Sequence, residues 1–133
     1  MRRAALVLAL SLALPGPAHA AAESLETLPP FEELKGSDWA RMGQRQKEFF
    51  VYMGIGGLQR QGVSVLRKPV YYVEAMDRVL GLDPDLGGEG LENLFVFCVY
   101  ESEPGTRPAI DAIRDRDLEA AESASAAAGV RRA

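Results

Sequence analysis

The strongest hydrophobic pattern along the chain lies in residues 39–61 and repeats with the period of an α-helix. Apolar side chains recur there at spacings of three, four and seven residues: Met42, Phe49, Phe50 and Met53. Residues at these spacings share one face of a helix, and the charged residues of the segment fall mostly elsewhere. The pattern predicts a central helix from about Trp39 to about Gln61, with Ser37 or Asp38 as its N-cap.

Glycines at positions 54, 56 and 57 interrupt this helix. Each glycine in a helix interior costs about 1 kcal/mol relative to alanine, so a close contact is the better explanation for keeping them. Gly54 and Gly57 lie one turn apart, and we expect them to let the second or third helix approach closely. A phosphate-binding glycine loop does not fit, because Gln59 stands where the dinucleotide fingerprint requires its third glycine.

Three more helices are expected along the rest of the chain. Pro69 suits the first turn of a helix that runs to Gly81. Apolar residues recur at helical spacing from Leu91 until a stop at Pro104. Residues Phe95 to Tyr100 are also apolar enough for a buried strand, but helix is favoured because no second strand is available for pairing. Pro108 begins the last helix. Its thin apolar stripe comprises Ile110, Ile113 and Leu118. The fold is therefore predicted to be all-α, a small bundle of three to four helices.

The first residues have the composition of an export signal. Arg2 and Arg3 precede an apolar run that ends at Pro15, and Ala18-His19-Ala20 fits a small-residue cleavage site. Cleavage after Ala20 predicts a periplasmic or secreted protein, without stable membrane insertion once the signal is removed. The expected division of the chain is a signal peptide over 1–20, an extended N-terminal arm over 21–36, a helical domain over 37–121 and a disordered tail over 122–133.

Charge and residue counts exclude several kinds of chemistry for the mature chain. Loss of Arg2 and Arg3 takes the net charge from −4 to −6, which disfavours nucleic acid as a partner because such binding needs clustered positive charge. His19 is the only histidine and Cys98 the only cysteine. A histidine-based catalytic triad and a zinc site of nitrogen and sulfur ligands therefore cannot form. Cys98 is expected to be buried and inert, and neither a metal nor a cofactor is predicted.

A basic and aromatic cluster after the central helix is the candidate binding site. It comprises Arg60, Arg67, Lys68, Tyr71 and Tyr72. Positive charge at a helix N-terminus suits an anion or a partner's carboxylate, and tyrosine and arginine are enriched at protein interfaces. Ordinary solvated loop charge is the simpler interpretation of the basic residues. The predicted function is a non-enzymatic protein-binding module, whose partner is another envelope protein or a second copy of the chain.

Two other functions remain open from the sequence. A carboxylate-based hydrolase would need two acids that converge in a cleft. The candidate pairs are Glu74 with Asp77 and Glu101 with Glu103, and solvated surface acids are the default interpretation of both. A carrier of a small molecule or lipid would need an apolar cavity between helices. The candidate lining residues are Phe49, Phe50 and Phe95.

Three segments of the chain form a recognisable order: Phe50 to Gly57, Tyr72 to Leu80 followed by Asp83-Pro84, and Leu91 to Pro104. In these segments the chain resembles small exported bacterial proteins of the Rap1a/Tai type, immunity proteins that bind and neutralise peptidoglycan-cleaving effectors of type VI secretion. The disulfide cysteines usual in that family have no counterparts here. The resemblance implies a small all-helical domain that acts by binding and has no catalytic residues.

Overall fold

The computed structural model describes residues 28–132, with side chains described through residue 129. Five α-helices form in this part of the chain, and no strand forms there. They are α1 (Gly36–Trp39), α2 (Gln44–Arg60), α3 (Pro69–Leu82), α4 (Leu91–Ser102) and α5 (Arg107–Arg132). Short 3₁₀ turns lie at Phe31–Glu33, Pro84–Gly88 and Pro104–Thr106. The all-α prediction is confirmed, while the predicted signal peptide lies outside the described residues.

The predicted central helix is divided into α1 and α2, so its expected start at Trp39 is wrong. Lys35 is the N-cap of α1, and its N–H donates to the Asp38 carboxylate at 2.8 Å, which closes a single helical turn. Gly43 is extended, with φ −72° and ψ 164°, and its N–H donates to the Gln46 side chain at 2.9 Å as α2 begins. The break turns Trp39 into the core, where it is 2% exposed.

Helices α3 and α4 begin and end close to the predicted positions. Pro69 is the first residue of α3, where its missing N–H leaves no intrahelical hydrogen bond unmade, and the helix ends one residue past Gly81. Helix α4 begins at Leu91 and ends two residues before Pro104.

Helix α5 is longer than the sequence predicts. It continues to Arg132 rather than ending near Ala121, so the described part of the expected disordered tail is helical. Alanine, the strongest helix former, is frequent in that stretch. Ile110 is buried and Ile113 half-buried, whereas residues 114–129 are all exposed. Neither α5 nor any other helix of the described residues is apolar enough over a sufficient length to cross a membrane.

One aromatic ring from each of α1 to α4 meets in the core. Trp39 packs edge-on against Phe50, with 6.1 Å between ring centroids. Phe50 packs in the same way against Phe95 at 6.2 Å, and Phe95 against Tyr72 at 5.7 Å. Edge-to-face pairs stabilise a fold by about 0.5–1.5 kcal/mol each beyond the area they bury, so this row of rings fixes how the four helices meet.

The two glycines expected to pack differ in their surroundings. A Cβ atom at Gly54 would lie 2.6 Å from the Phe95 ring, so the missing side chain allows α2 to approach α4. A Cβ atom at Gly57 would have only the Arg60 guanidinium of the same helix near it, at 3.9 Å. Among the described residues, the close helix contact is therefore made at Gly54 and not at Gly57.

Candidate functional site

The segment that leads into α3 directs its side chains alternately toward the core and toward solvent. Gly62 makes the turn out of α2 with φ +92°, a conformation that glycine adopts without steric cost. Val63 and Val65 are 1% and 7% exposed, whereas Leu66 is 83% exposed. The two valines therefore anchor the segment, and Leu66 projects from the surface.

The buried carboxylate of Glu103 fixes the backbone of this segment from the core side. It accepts hydrogen bonds from the backbone N–H groups of Leu66, at 2.8 Å, and Arg67, at 3.5 Å. The Tyr72 hydroxyl donates to the same carboxylate. Glu103 directly follows α4, and its own carbonyl accepts from the Thr106 hydroxyl at 2.6 Å. One carboxylate thus joins the beginning of α3 to the end of α4.

Glu103 occupies the place where the sequence predicts an external anion. Donors ahead of a helix N-terminus attract negative charge, and the prediction places an anion or a partner's carboxylate there. In the structure the chain's own carboxylate already accepts from these N–H groups. Glu103 is 8% exposed, so its interpretation as one member of a solvated surface pair is wrong.

Tyr72 lies in the core and not on the predicted binding surface. Its side chain is 0% exposed. Burial, followed by the hydrogen bond to Glu103 and the negative charge of that carboxylate, raises the pKa of the Tyr72 hydroxyl well above its ordinary value. The hydroxyl therefore remains protonated as a donor, and Tyr72 supports the surface from inside.

Arg67 and Tyr71 form a stacked pair at the beginning of α3. The guanidinium carbon of Arg67 lies 4.3 Å from the centroid of the Tyr71 ring, a cation–π contact. Tyr71 in turn packs edge-on against Tyr72, with 5.1 Å between ring centroids. Because Tyr71 is half-buried and Arg67 is exposed, the contact restricts the guanidinium while leaving it accessible to solvent.

Exposed apolar side chains flank the two basic residues of this segment. Leu66, at 83% exposed, precedes Arg67 and Lys68, and Val70, at 52% exposed, follows them. Tyr52 of α2 is 66% exposed and lines a groove of about 360 Å³ that Pro69 also lines. A second groove, of about 480 Å³, is lined by Leu66 and Arg67. We name the surface of the following side chains the docking face: Tyr52, Leu66, Arg67, Lys68 and Val70.

Arg60 lies apart from the docking face. It lines a groove of about 260 Å³ together with Phe31 and Phe95, on the side of α2 that meets α4. It lines neither of the two grooves beside the docking face. Of the predicted binding residues, the structure therefore groups Arg67, Lys68 and Tyr71 at one surface, with Tyr72 beneath them and Arg60 elsewhere.

Sequence reasoning missed the apolar members of the docking face. Val70 belongs to the helical spacing that predicts the buried side of α3, yet it is 52% exposed. Leu66 could have been found, because alternation from Val63 through Val65 places it on the solvent side with Ser64. No local sequence pattern indicates that Glu103 is a buried acceptor, because its donors on Leu66 and Tyr72 lie more than 30 positions away in the sequence.

The carboxylate pair on α3 does not converge in one groove. Asp77 accepts hydrogen bonds from the Trp39 indole N–H at 2.7 Å and from the Lys47 ammonium at 3.0 Å. Glu74 is exposed and does not line the groove that Asp77 lines. The contacts of Asp77 are those of a residue that fixes the position of Trp39.

The rings expected to surround a carrier cavity pack against one another instead. Phe31 lies edge-on to Phe49 and to Phe50, at 5.8 and 5.3 Å between centroids. Phe50 contacts Phe95 in the same way. Phe50 and Phe95 still line one groove, of about 260 Å³, whereas Phe49 lines a different one, of about 360 Å³.

The single cysteine lies in the core. Cys98 is 3% exposed, and its sulfur lies 3.6 Å from the sulfur of Met76. Burial raises the pKa of the Cys98 thiol from 9.0 to about 11. Among residues 28–132, no three His, Cys, Asp or Glu side chains are grouped as a metal site requires.

No family model matches the chain, and searches of curated proteins and of solved structures give no match either. The geometry of the site is therefore the basis on which function is inferred.

Proposed function

We propose that this chain is a small exported protein of the cell envelope that acts without catalysis, by binding another protein through the docking face. One observation carries the proposal: Leu66 is 83% exposed, while its backbone N–H is held at 2.8 Å by the buried Glu103. A single exposed leucine is ordinary on a protein surface. A leucine on a fixed backbone forms an apolar patch with the exposed Val70, and the stacked Arg67 beside them is of a residue type enriched at protein interfaces.

The order of this segment favours binding. Side chains and loops that become ordered on association cost about 0.5–1.5 kcal/mol each. Here the backbone is fixed in the free protein by the Glu103 hydrogen bonds and by the buried Val63 and Val65. Arg67 is restricted in the same way by its contact with Tyr71. A partner therefore meets a surface that is already arranged.

Charge indicates the kind of partner. Arg67 and Lys68 place two positive charges within the docking face of a chain whose net charge is −4. A two-fold contact of this face with itself would bring these cations together, which disfavours a second copy as the occupant. A different protein, with an apolar pocket and carboxylates around it, complements the face. The resemblance to immunity proteins makes a peptidoglycan-cleaving effector the first partner to test.

The proposal is tested by affinity capture from the native envelope extract, with the mature chain from Ala21 as bait and mass spectrometry as readout. The interface variant carries Lys68→Glu and Val70→Asp. The matched control carries Arg116→Glu and Leu118→Asp, because Leu118 is also exposed, at 62%, but lies on α5. We expect one stoichiometric protein that the wild type and the control capture and the interface variant does not. Capture of nothing, or equal capture by all three, contradicts the proposal.

A further inference from the structure

A groove of about 370 Å³ lies at the opposite end of α3 from the docking face. Its accessible apolar walls are the half-buried Leu80 and the exposed Pro84, and Gly81 opens onto it without a side chain. Trp39 also borders the groove, although it is only 2% exposed. Small-molecule sites are mostly apolar clefts of about 300–1,000 Å³ with a few convergent polar groups. The volume of the groove falls within that range.

Two contacts fix the polar wall of this groove. The Asp77 carboxylate accepts from the Trp39 indole N–H at 2.7 Å and from the Lys47 ammonium at 3.0 Å. Lys47 also lies 5.1 Å from the centroid of the Trp39 ring. The ring and the carboxylate are thereby held in place before any ligand arrives.

The charged side chains that line the groove sum to a net charge of −1, because Lys47 is paired with Asp77 at 3.0 Å and Asp83 remains. Asp77 and Asp83 bring two carboxylates to its lining, against the single ammonium of Lys47. Helix α3 ends here at Leu82, and its last turn contains no basic residue. The carbonyl groups at a helix C-terminus carry partial negative charge and favour cations. The C-terminal end of α3 and the side chains of the groove therefore both favour a positively charged ligand.

We propose that this groove binds a compact organic cation with an apolar body, such as an arylalkylamine. The apolar body lies against Leu80 and Pro84, and the ammonium lies toward Asp83 and the carbonyl end of α3. The groove is separate from the docking face, so the test of this proposal does not depend on whether the proposed protein partner exists.

The indole N–H signal of Trp39 tests the proposal directly, because the chain contains one tryptophan and hence one such signal in a ¹H–¹⁵N spectrum. The probes are benzylamine, benzyl alcohol and benzoate, which share a ring and differ in charge. We expect a saturable shift with benzylamine at a dissociation constant on the order of 1 mM, and binding at least about tenfold weaker for the other two. A fourth probe, Nα-acetyl-lysine methylamide, represents a lysine side chain of a polypeptide. Tighter binding of this probe than of benzylamine would identify a polypeptide lysine as the ligand, and tighter binding of benzylamine would identify a free amine.

Matched glycine variants locate the binding. Gly81→Leu fills the groove from a helical position with open space around it, whereas Gly129→Leu adds the same side chain on the exposed part of α5. Asp83→Asn removes charge but keeps the oxygen that accepts from the Asp85 N–H at 3.1 Å. We expect Gly81→Leu to abolish the shift, Gly129→Leu to leave it unchanged and Asp83→Asn to weaken binding about fivefold. Equal shifts with all three aromatic probes, no saturation up to about 20 mM benzylamine, or undiminished binding by Gly81→Leu overturns the proposal.

Discussion

The carboxylate of Glu103 accepts a hydrogen bond of 2.8 Å from the backbone N–H of Leu66, 37 positions earlier in the chain. The residue that follows α4 therefore fixes the backbone position of Leu66. Because the Arg67 N–H and the Tyr72 hydroxyl donate to the same carboxylate, one buried acid positions the centre of the docking face.

Removal of that acid should destabilise the protein. Glu103→Ala leaves three donors without their acceptor, and an unpaired buried polar group costs about 1–3 kcal/mol, so we expect a loss of about 3 kcal/mol in the free energy of unfolding. Glu103→Gln keeps one acceptor oxygen and should cost about 1 kcal/mol. Urea unfolding at pH 7 measures both. The exposed neighbour Glu101 provides the control, since Glu101→Ala should change stability by less than about 0.5 kcal/mol. Equal effects of the two alanine variants would show that Glu103 does not hold the segment.

Gly54 and Gly57 of α2 should respond in opposite directions to substitution by alanine. Gly54→Ala places a Cβ atom against the Phe95 ring, which is itself packed between Phe50 and Tyr72 and has little room to move. Overpacking of this kind costs about 1–3 kcal/mol. Gly57→Ala places its Cβ atom in ordinary contact with the flexible Arg60 guanidinium, at 3.9 Å, and should stabilise the helix by about 0.5–1 kcal/mol. Thermal unfolding of both variants measures the difference, and stabilisation by Gly54→Ala would disprove the close approach of α2 to α4.

Alkaline pH should destabilise the fold partly through Cys98. Burial raises the pKa of the thiol from 9.0 to about 11 in the folded state, so the unfolded chain releases this proton at lower pH. The stability that the buried thiol contributes is therefore complete below about pH 9 and is lost as pH rises toward 11. Its slope is at most about 1.4 kcal/mol per pH unit. Urea unfolding from pH 8 to 11 should show a steeper decline for the wild type than for Cys98→Ala. Parallel curves would indicate a solvated thiol.

The far part of α5 should contribute little to stability. Residues 114–129 are exposed, so a chain that stops after Arg116 keeps Ile110 and Ile113 and should unfold within about 0.5 kcal/mol of the full chain. Its circular dichroism should lose helical signal. Ile110 is 1% exposed, and Ile110→Ala should cost about 2–5 kcal/mol. A large loss of stability on truncation would show that the exposed turns pack against another surface, in the same chain or in a second copy.

The sequence predicted those features that depend on local pattern. Helical spacing and the proline at position 69 predicted the approximate bounds of α3 and α4, because helix propensity and capping act within a few residues. The break at Gly43 was missed, because the apolar stripe continues across it and the tertiary position of Trp39 decides it. Glu103 was missed because its donors lie on another element. Tyr72 was assigned to the surface for its residue type, although its ring completes the aromatic core.

The most direct test of the docking face compares two leucines of similar exposure near opposite ends of α3. Leu66 is 83% exposed at the centre of the face, and Leu82 is 80% exposed next to the other groove. With the captured partner in hand, titration calorimetry of Leu66→Asp and Leu82→Asp measures each contribution to affinity. We expect Leu66→Asp to weaken binding at least about 30-fold, as for an interface anchor worth about 2 kcal/mol, and Leu82→Asp to leave it within about twofold. Equal affinities of the two variants, or a larger loss for Leu82→Asp, would contradict the assignment of the docking face.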